Sequence, residues 1–326
     1  MRRTLGCLGV TLAMIAVPAA SAVAAGGVSC GTVVTTNITL SNDVVGCAGD
    51  GLIVGASHIT IDLGGHTVGA SAVSGGAGVR VGPGRAGVTV RNGTIVGFVQ
   101  GVVLDTAGDN HVSDLVITDS VRGIDLANAS GNTVERNTIS GSALDGIRVD
   151  GAASRHNLVS RNVVSDGAFI GITVSNHSRD DLIDRNHVSD GVFGIAVFGG
   201  VERVALSRNL VTGATQVGIQ IDAASDDASI DHNRVWGNGI GVFVKDGVTG
   251  AGVVRNFVWG NDGDGVRIGS DDGVIDRNHI DRNGGWGIAM TATSSGNVVT
   301  RNQLRDNDLG STSDAGSNSL RRQRAH

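Results

Sequence analysis

The chain of 326 residues carries 52 glycines, two prolines, no tyrosine and a formal net charge of −6 at pH 7. That acidic balance argues against nucleic acid as a partner. Glycine and proline together stay below the proportion that marks low-complexity disorder, so the glycines need a structural explanation.

Residues 1–25 read as an export signal. Arg2 and Arg3 precede an apolar stretch over 5–20, and the small residues Ala20-Ser21-Ala22 and Val23-Ala24-Ala25 offer cleavage points. The mature protein is therefore expected to be secreted or otherwise extracytoplasmic. No later stretch approaches the roughly 20 apolar residues that span a bilayer, so no membrane insertion is expected. Cys30 and Cys47 are then best read as one disulfide capping the start of the repeats. An oxidising compartment favours their pairing, and a lone cysteine pair is a poor metal site.

From residue 51 a tetrad of Gly, apolar, any, apolar recurs eleven times, with Gly at 51, 78, 101, 123, 146, 171, 194, 218, 241, 265 and 287. Intervals of 22 to 27 residues mark a solenoid. In Gly146-Ile147-Arg148-Val149, strand alternation points Ile147 and Val149 inward and Arg148 outward. A second strand follows, as in Val159-Ser160-Arg161, and ends on an asparagine. These asparagines fall at 92, 137, 162, 186, 209, 233, 256, 278 and 302, with Leu115 interrupting, and read as a stacked ladder; Asn238, Asn261, Asn283 and Asn307 form a second column. A third apolar segment, such as Val163-Val164, completes the coil. Three short strands per turn describe an all-β fold, a single-stranded parallel β-helix of about eleven coils over residues 26–307. A helical repeat is excluded because the apolar period is two. Residues 308–326 are polar, carry Arg321, Arg322 and Arg324, and read as a flexible tail.

The Asn-x-apolar and Gly-Ile-x-Val coil, the opening segment with Cys30 and Cys47, and Ile59-Thr60-Ile61-Asp62-Leu63-Gly64-Gly65-His66 resemble the secreted right-handed parallel β-helix proteins of the pectate-lyase-like superfamily. The resemblance covers about residues 30–307, and right-handedness is what it implies. That superfamily includes polysaccharide lyases, hydrolases and uronate epimerases. It also includes proteins with no known catalysis, such as accessory factors of nitrous-oxide reductase maturation. Its repeat is specific for fold and weak for function. The expectation is a secreted, monomeric β-helix that binds or processes an extracellular polysaccharide of the acidic, uronate type. If it is an enzyme, it is a polysaccharide lyase or a uronate epimerase. The alternative is a non-catalytic structural or envelope accessory rod that binds another protein.

Chemistry in such a rod is sought along columns of equivalent residues. On the outward side of the Gly-led strands, Asp105, Asp125, Arg148 and Asp150 come from three successive coils and are expected to cluster. By the resemblance, Arg148 is the candidate base that removes the C5 proton, with Asp125 and Asp150 as ligands of calcium or substrate. Solvated charge pairing is the structural alternative. Asp222, Lys245 and Arg267 on the same face, and Trp236 and Trp259 in one column, are candidate substrate contacts; aromatic packing is the other reading of the tryptophans. A column of arginines at 91, 136, 161, 185, 208, 255, 277 and 301, with Asp114 and His232 as exceptions, either holds an acidic polymer or is neutralised by its own acids. The histidines scatter over the repeat, so no metal site is expected, and no cofactor other than a calcium ion.

Overall fold

Alternation of apolar and polar side chains dictates the local structure. In the strand Asp145–Asp150 the inward Ile147 and Val149 are fully buried, while Arg148 between them reaches the outer surface. This strand pairs in parallel with Arg122–Ala127 on one side and Ile170–Ser175 on the other, placing Ile147 opposite Ile124 and Ile172. A second strand per coil, here Leu158–Ser160, and a third, here Val163–Ser165, stack on their own equivalents. The chain thus winds a solenoid of about twelve turns with three parallel faces, named below the Gly-led, middle and third sheets. A computed structural model describes residues 27–222, 224–321 and 323–325; the export signal read in residues 1–25 lies outside them.

The leading glycine of each tetrad answers to close approach. A Cβ on Gly123 would stand 2.5 Å from the carbonyl oxygen of Gly146, and one on Gly146 would stand 2.6 Å from that of Gly171. Any side chain there would force neighbouring coils apart. The eleven tetrads therefore record the stacking contact itself.

Eight asparagines, from Asn137 through Asn162, Asn186, Asn209, Asn233, Asn256 and Asn278 to Asn302, form one buried ladder between the middle and third sheets. From Asn162 onward each Oδ1 accepts both the backbone N–H and the side-chain N–H of the preceding rung at 2.8–3.1 Å, and Asn137 Oδ1 accepts from the Leu115 N–H. Asn92 is not a rung. Gly93 lies opposite Leu115 at the rung level, and Asn92 instead donates to Asp62 at the surface. Arg91 is shifted likewise: it pairs with Ser113 inside the strand, one place before the arginine column. The second ladder of Asn238, Asn261, Asn283 and Asn307 is formed. A third, not read in the sequence, runs Asn110, Asn132, Asn157 and then Asp181.

The polar end is no frayed tail. Gly310–Asp314, Ser317–Arg321 and Arg324–Ala325 pair in parallel with Trp286–Met290, Ser295–Thr300 and Gln303–Arg305, adding a coil to the eleven. Amide rungs supply the order that apolar alternation lacks here. Asn297 donates to Asn318 Oδ1 at 2.8 Å, and Asn302 donates to Gln323 Oε1 at 3.1 Å.

Cys30 and Cys47 are joined across the first coil. The strands they bracket, Thr32–Val34 and Val44–Cys47, are paired on one side only among the described residues. Reduction is expected to lower the melting temperature by loosening this edge, because the crosslink restricts the opened coil. An unchanged melting curve in reductant would remove that role.

Candidate functional site

Strand register brings three of the four clustered candidates together on the outer side of the Gly-led sheet. Arg148 lies directly opposite Asp125 in the preceding coil. Its Nε donates to Asp125 Oδ1 at 2.9 Å and its Nη2 to Oδ2 at 3.0 Å, while Nη1 lies 3.5 Å from Asp150 Oδ2. Asp125 is buried by this clasp. Asp150 accepts from Ser175 Oγ at 2.6 Å and from Asn176 Nδ2 at 2.7 Å. Asp105 aligns with Ala127 and accepts from Thr106 Oγ1 at 3.0 Å.

A second constellation sits beside the first. Asp145 Oδ2 accepts from Arg122 Nε at 3.1 Å, and its Oδ1 accepts from Thr173 Oγ1 at 2.6 Å. Strict alternation assigns Asp145 to the same side as buried Ile147, which is why sequence reasoning missed it. The strand begins at a corner, and there the carboxylate reaches the outer surface groups. Along the corner, exposed Leu144 and Phe169 follow one another, and Phe169 meets the edge of Phe193 with ring centroids 5.8 Å apart. These apolar groups border the polar ones.

The cations named on this face are each paired with an acid. Lys245 donates to Asp222 at 2.7 Å, Arg267 to Asp264 at 2.7 Å and Arg80 to Asp50 at 2.7 Å, in addition to the Arg122 and Arg148 pairs. Arg267 also lies over the Phe243 ring, 5.6 Å from its centroid. Burial pulls the Arg148 guanidinium down, but the hydrogen bonds and charge of Asp125 more than offset it and raise its pKa above an ordinary arginine's. A group held so firmly charged serves as a donor, and poorly as a base. Arg148 also stands between Asp125 and Asp150, where a calcium ion shared by the two carboxylates would have to sit. These residues do not fit the ion that the resemblance implies.

Trp236 and Trp259 belong elsewhere. They lie in the third sheet, so they share no site with Asp222, Lys245 and Arg267 on the Gly-led sheet. Their rings stack 4.7 Å apart at 13°, and Phe257 stacks on His279 beside them. Ring faces press on one another along the rod and leave edges outward, which is packing geometry. Among the described residues no three His, Cys, Asp or Glu side chains converge in a metal-binding group.

Comparison with known proteins accords with this geometry. The family model described as "right handed beta helix region" matches residues 26–180 and 77–235. A second, "periplasmic copper-binding protein (NosD)", matches residues 174–321. No curated protein sequence matches the chain. Among solved structures, a surface adhesin of Streptococcus pneumoniae superposes with a TM-score of 0.69 at 13% identity, over 85% of this chain and 84% of that one. The catalytic unit of a thermostable α-1,3-glucanase of Streptomyces thermodiastaticus gives 0.63 at 12% identity, over 95% and 70%. The A-module of a mannuronan C-5 epimerase of Azotobacter vinelandii gives 0.56 at 14% identity, over 90% and 91%. At such identities the likeness establishes the fold alone, a right-handed parallel β-helix.

Proposed function

The chain belongs to the right-handed β-helix family, and on that premise we propose that it is an extracytoplasmic protein that binds an extended polysaccharide along the outer side of its Gly-led sheet. The observation that carries this reading is the pair of fixed polar constellations, Arg122 with Asp145 and Thr173, and Asp125 with Arg148, Asp150 and Ser175, bordered by the exposed ring of Phe169. Sugars are held by preset donor and acceptor groups beside an apolar surface. A solenoid repeats such groups along the axis of a linear ligand. The solved neighbours include a glucanase and a mannuronan epimerase, and an adhesin that shares the same rod. The disulfide supports an oxidising, extracytoplasmic setting.

Two details refine the reading. Because the cations named on this face already hold acids, a uronate carboxylate would have to displace Asp125 or Asp150 from Arg148. Hydroxyl groups bind such pairs without displacing them, so the face suits a neutral glycan better than a uronate polymer. With Arg148 clasped as a donor, binding without turnover is the activity supported.

The test is proton NMR of soluble neutral glucans, pectate and alginate incubated with the protein, with and without calcium. Broadened glucan lines without new signals are expected, and Arg148→Ala should weaken binding by about tenfold. New unsaturated or epimerised uronate signals would establish a lyase or epimerase and overturn the non-catalytic reading. No broadening with any polymer would leave the protein-binding rod.

A further inference from the structure

The corner that carries the asparagine ladder also carries a row of arginines. Arg136, Arg161, Arg185, Arg208, Arg255, Arg277 and Arg301 each precede a ladder asparagine, with His232 filling the one remaining place, and all eight hold φ between 54° and 57°. That left-handed conformation is unfavourable for any residue with a long side chain. Seven of the nine equivalent left-handed places at the corner before the middle sheet use the residues the backbone prefers, Asp109, Gly131, Asp180, Asp227, Gly250, Asp272 and Gly296, with His156 and Arg203 as the exceptions. Backbone geometry therefore does not account for arginine at the ladder corner. The guanidinium groups do.

Self-pairing accounts for only part of them. Acids recur on alternate coils, at Glu135, Asp184, Asp231 and Asp276; in the coils between, the same register position holds Ser160, Ser207, Val254 and Thr300. Each acid is shared by the cations of two coils. Asp184 holds Arg185 at 2.5 Å and Arg208 at 3.2 Å, and Asp276 holds Arg277 at 2.9 Å and Arg301 at 2.7 Å. Glu135 holds Arg136 and, at 3.6 Å, Arg161; Asp231 holds His232 at 2.6 Å and Arg255 at 3.5 Å. Asp114 adds a partner for Arg136 alone. Arg161, Arg208 and Arg255 thus reach their acids through Nη1 only. The rest of each fork stands at a surface where these side chains are about half exposed. The row is a line of guanidinium in excess over carboxylate, on a chain whose net charge is −6.

We propose that this row binds a linear carboxylated glycan, a uronate polymer, lying along the rod axis on a side of the solenoid separate from the Gly-led sheet. Arginines recur once per coil, about 4.8 Å apart. The forks left part-open, those of Arg161, Arg208 and Arg255, recur on every second coil, about 9.6 Å apart, comparable to two residues of an extended pyranose chain, so alternate carboxylates meet them in the pairing that guanidinium groups make bidentately.

The test titrates a fluorescent oligogalacturonate into the full chain at low and physiological salt and reads anisotropy. It compares wild type, the triple variant Arg161→Gln, Arg208→Gln, Arg255→Gln, the same three positions as Arg→Lys, and Arg203→Gln at the corner before the middle sheet, outside both proposed surfaces. The glutamine triple should weaken binding by about tenfold or more and flatten its salt dependence. The lysine triple should keep the salt dependence but lose part of the affinity, since a point charge replaces a fork. Arg203→Gln should change nothing, which separates this row from surface arginines in general. Wild-type affinity in the glutamine triple, or no binding at low salt, would overturn the proposal. So would equal binding of a sulfated glycosaminoglycan or duplex DNA, which would make the row a general polyanion contact. Should the glutamine triple fail to fold, unchanged affinity in the lysine triple would count against the forked contact.

Discussion

Asn209→Ala is expected to destabilise the rod by roughly 3–5 kcal/mol, the loss that follows from stranding buried amide groups. Asn209 Oδ1 accepts from the backbone N–H of Asn186 at 2.9 Å and from its Nδ2 at 3.1 Å. Its own Nδ2 donates to the Ile183 carbonyl at 2.8 Å and to Asn233 Oδ1 at 3.1 Å. Alanine leaves the Asn186 N–H without a partner, and takes one acceptor from Asn186 Nδ2 and one of the donors to the Ile183 carbonyl, in a stretch where Asn186, Asn209 and Asn233 are each 1% exposed. Water cannot substitute there, so each orphaned group loses its hydration uncompensated. Because each coil touches only its neighbours, a weakened interface at mid-rod should also split unfolding into two stages. The control is Asn92→Ala. That side chain donates to Asp62 outside the ladder, and its loss, with alanine placed at a left-handed φ of 61°, should stay at about 1 kcal/mol. Urea unfolding of both variants checks the pair; a loss below about 1 kcal/mol at Asn209 would refute the ladder as a stabilising element.

The contrast between Asn209 and Asn92 shows how far the sequence can be read. Apolar alternation and the glycine tetrad mark the coil because both answer to contacts repeated in every turn: inward pairs such as Ile147 and Val149, and the carbonyl that leaves no room for a Cβ at Gly123. Residue type alone does not fix phase. Asn92 slipped by one place because the coil around it carries Gly93 and Leu115 at rung level. The pairs Asp180-Asp181 and Asp226-Asp227 look equivalent, yet Asp226 aligns with Glu202, which in turn aligns with Arg179, so the two pairs are offset by one residue. Face assignment fails where a strand turns a corner, as at Asp145, and where two columns are alike in composition but lie on different sheets, as with Trp259 and Arg267. The terminal coil escaped because its order comes from amide rungs at Asn318 and Gln323, which carry no apolar signature.

That offset makes Asp181 unusual, and Asp181→Asn is expected to stabilise the protein at neutral pH by about 1–3 kcal/mol, the scale of relieving a buried, unpaired polar group. Asp181 closes the ladder of Asn110, Asn132 and Asn157, accepting at Oδ1 from the Asn157 N–H at 2.9 Å and from Asn157 Nδ2 at 3.0 Å. The next coil offers Val204 at the rung position, as the pairing of Leu182 with Ala205 fixes. Oδ2 is buried with no hydrogen-bond partner. Burial raises the carboxyl above its ordinary value of 3.8, and the two Asn157 hydrogen bonds, the nearby Ser178 hydroxyl and His156 offset this only in part. The native state therefore holds a proton that the unfolded chain has already released, so stability falls as pH rises from 3.8 to the raised native value and stays level above it. Asparagine cannot ionise. It can donate from Nδ2 to a backbone carbonyl, as Asn157 does to Ala129 at 2.8 Å, while keeping the acceptor that Asn157 needs. The gap between variant and wild type should be widest at neutral pH and close as the pH falls below about 3.8, because every other acid titrates identically in both. Denaturant unfolding across that range checks the sign, and a variant no more stable than wild type at neutral pH would show that the carboxylate is compensated inside the rod.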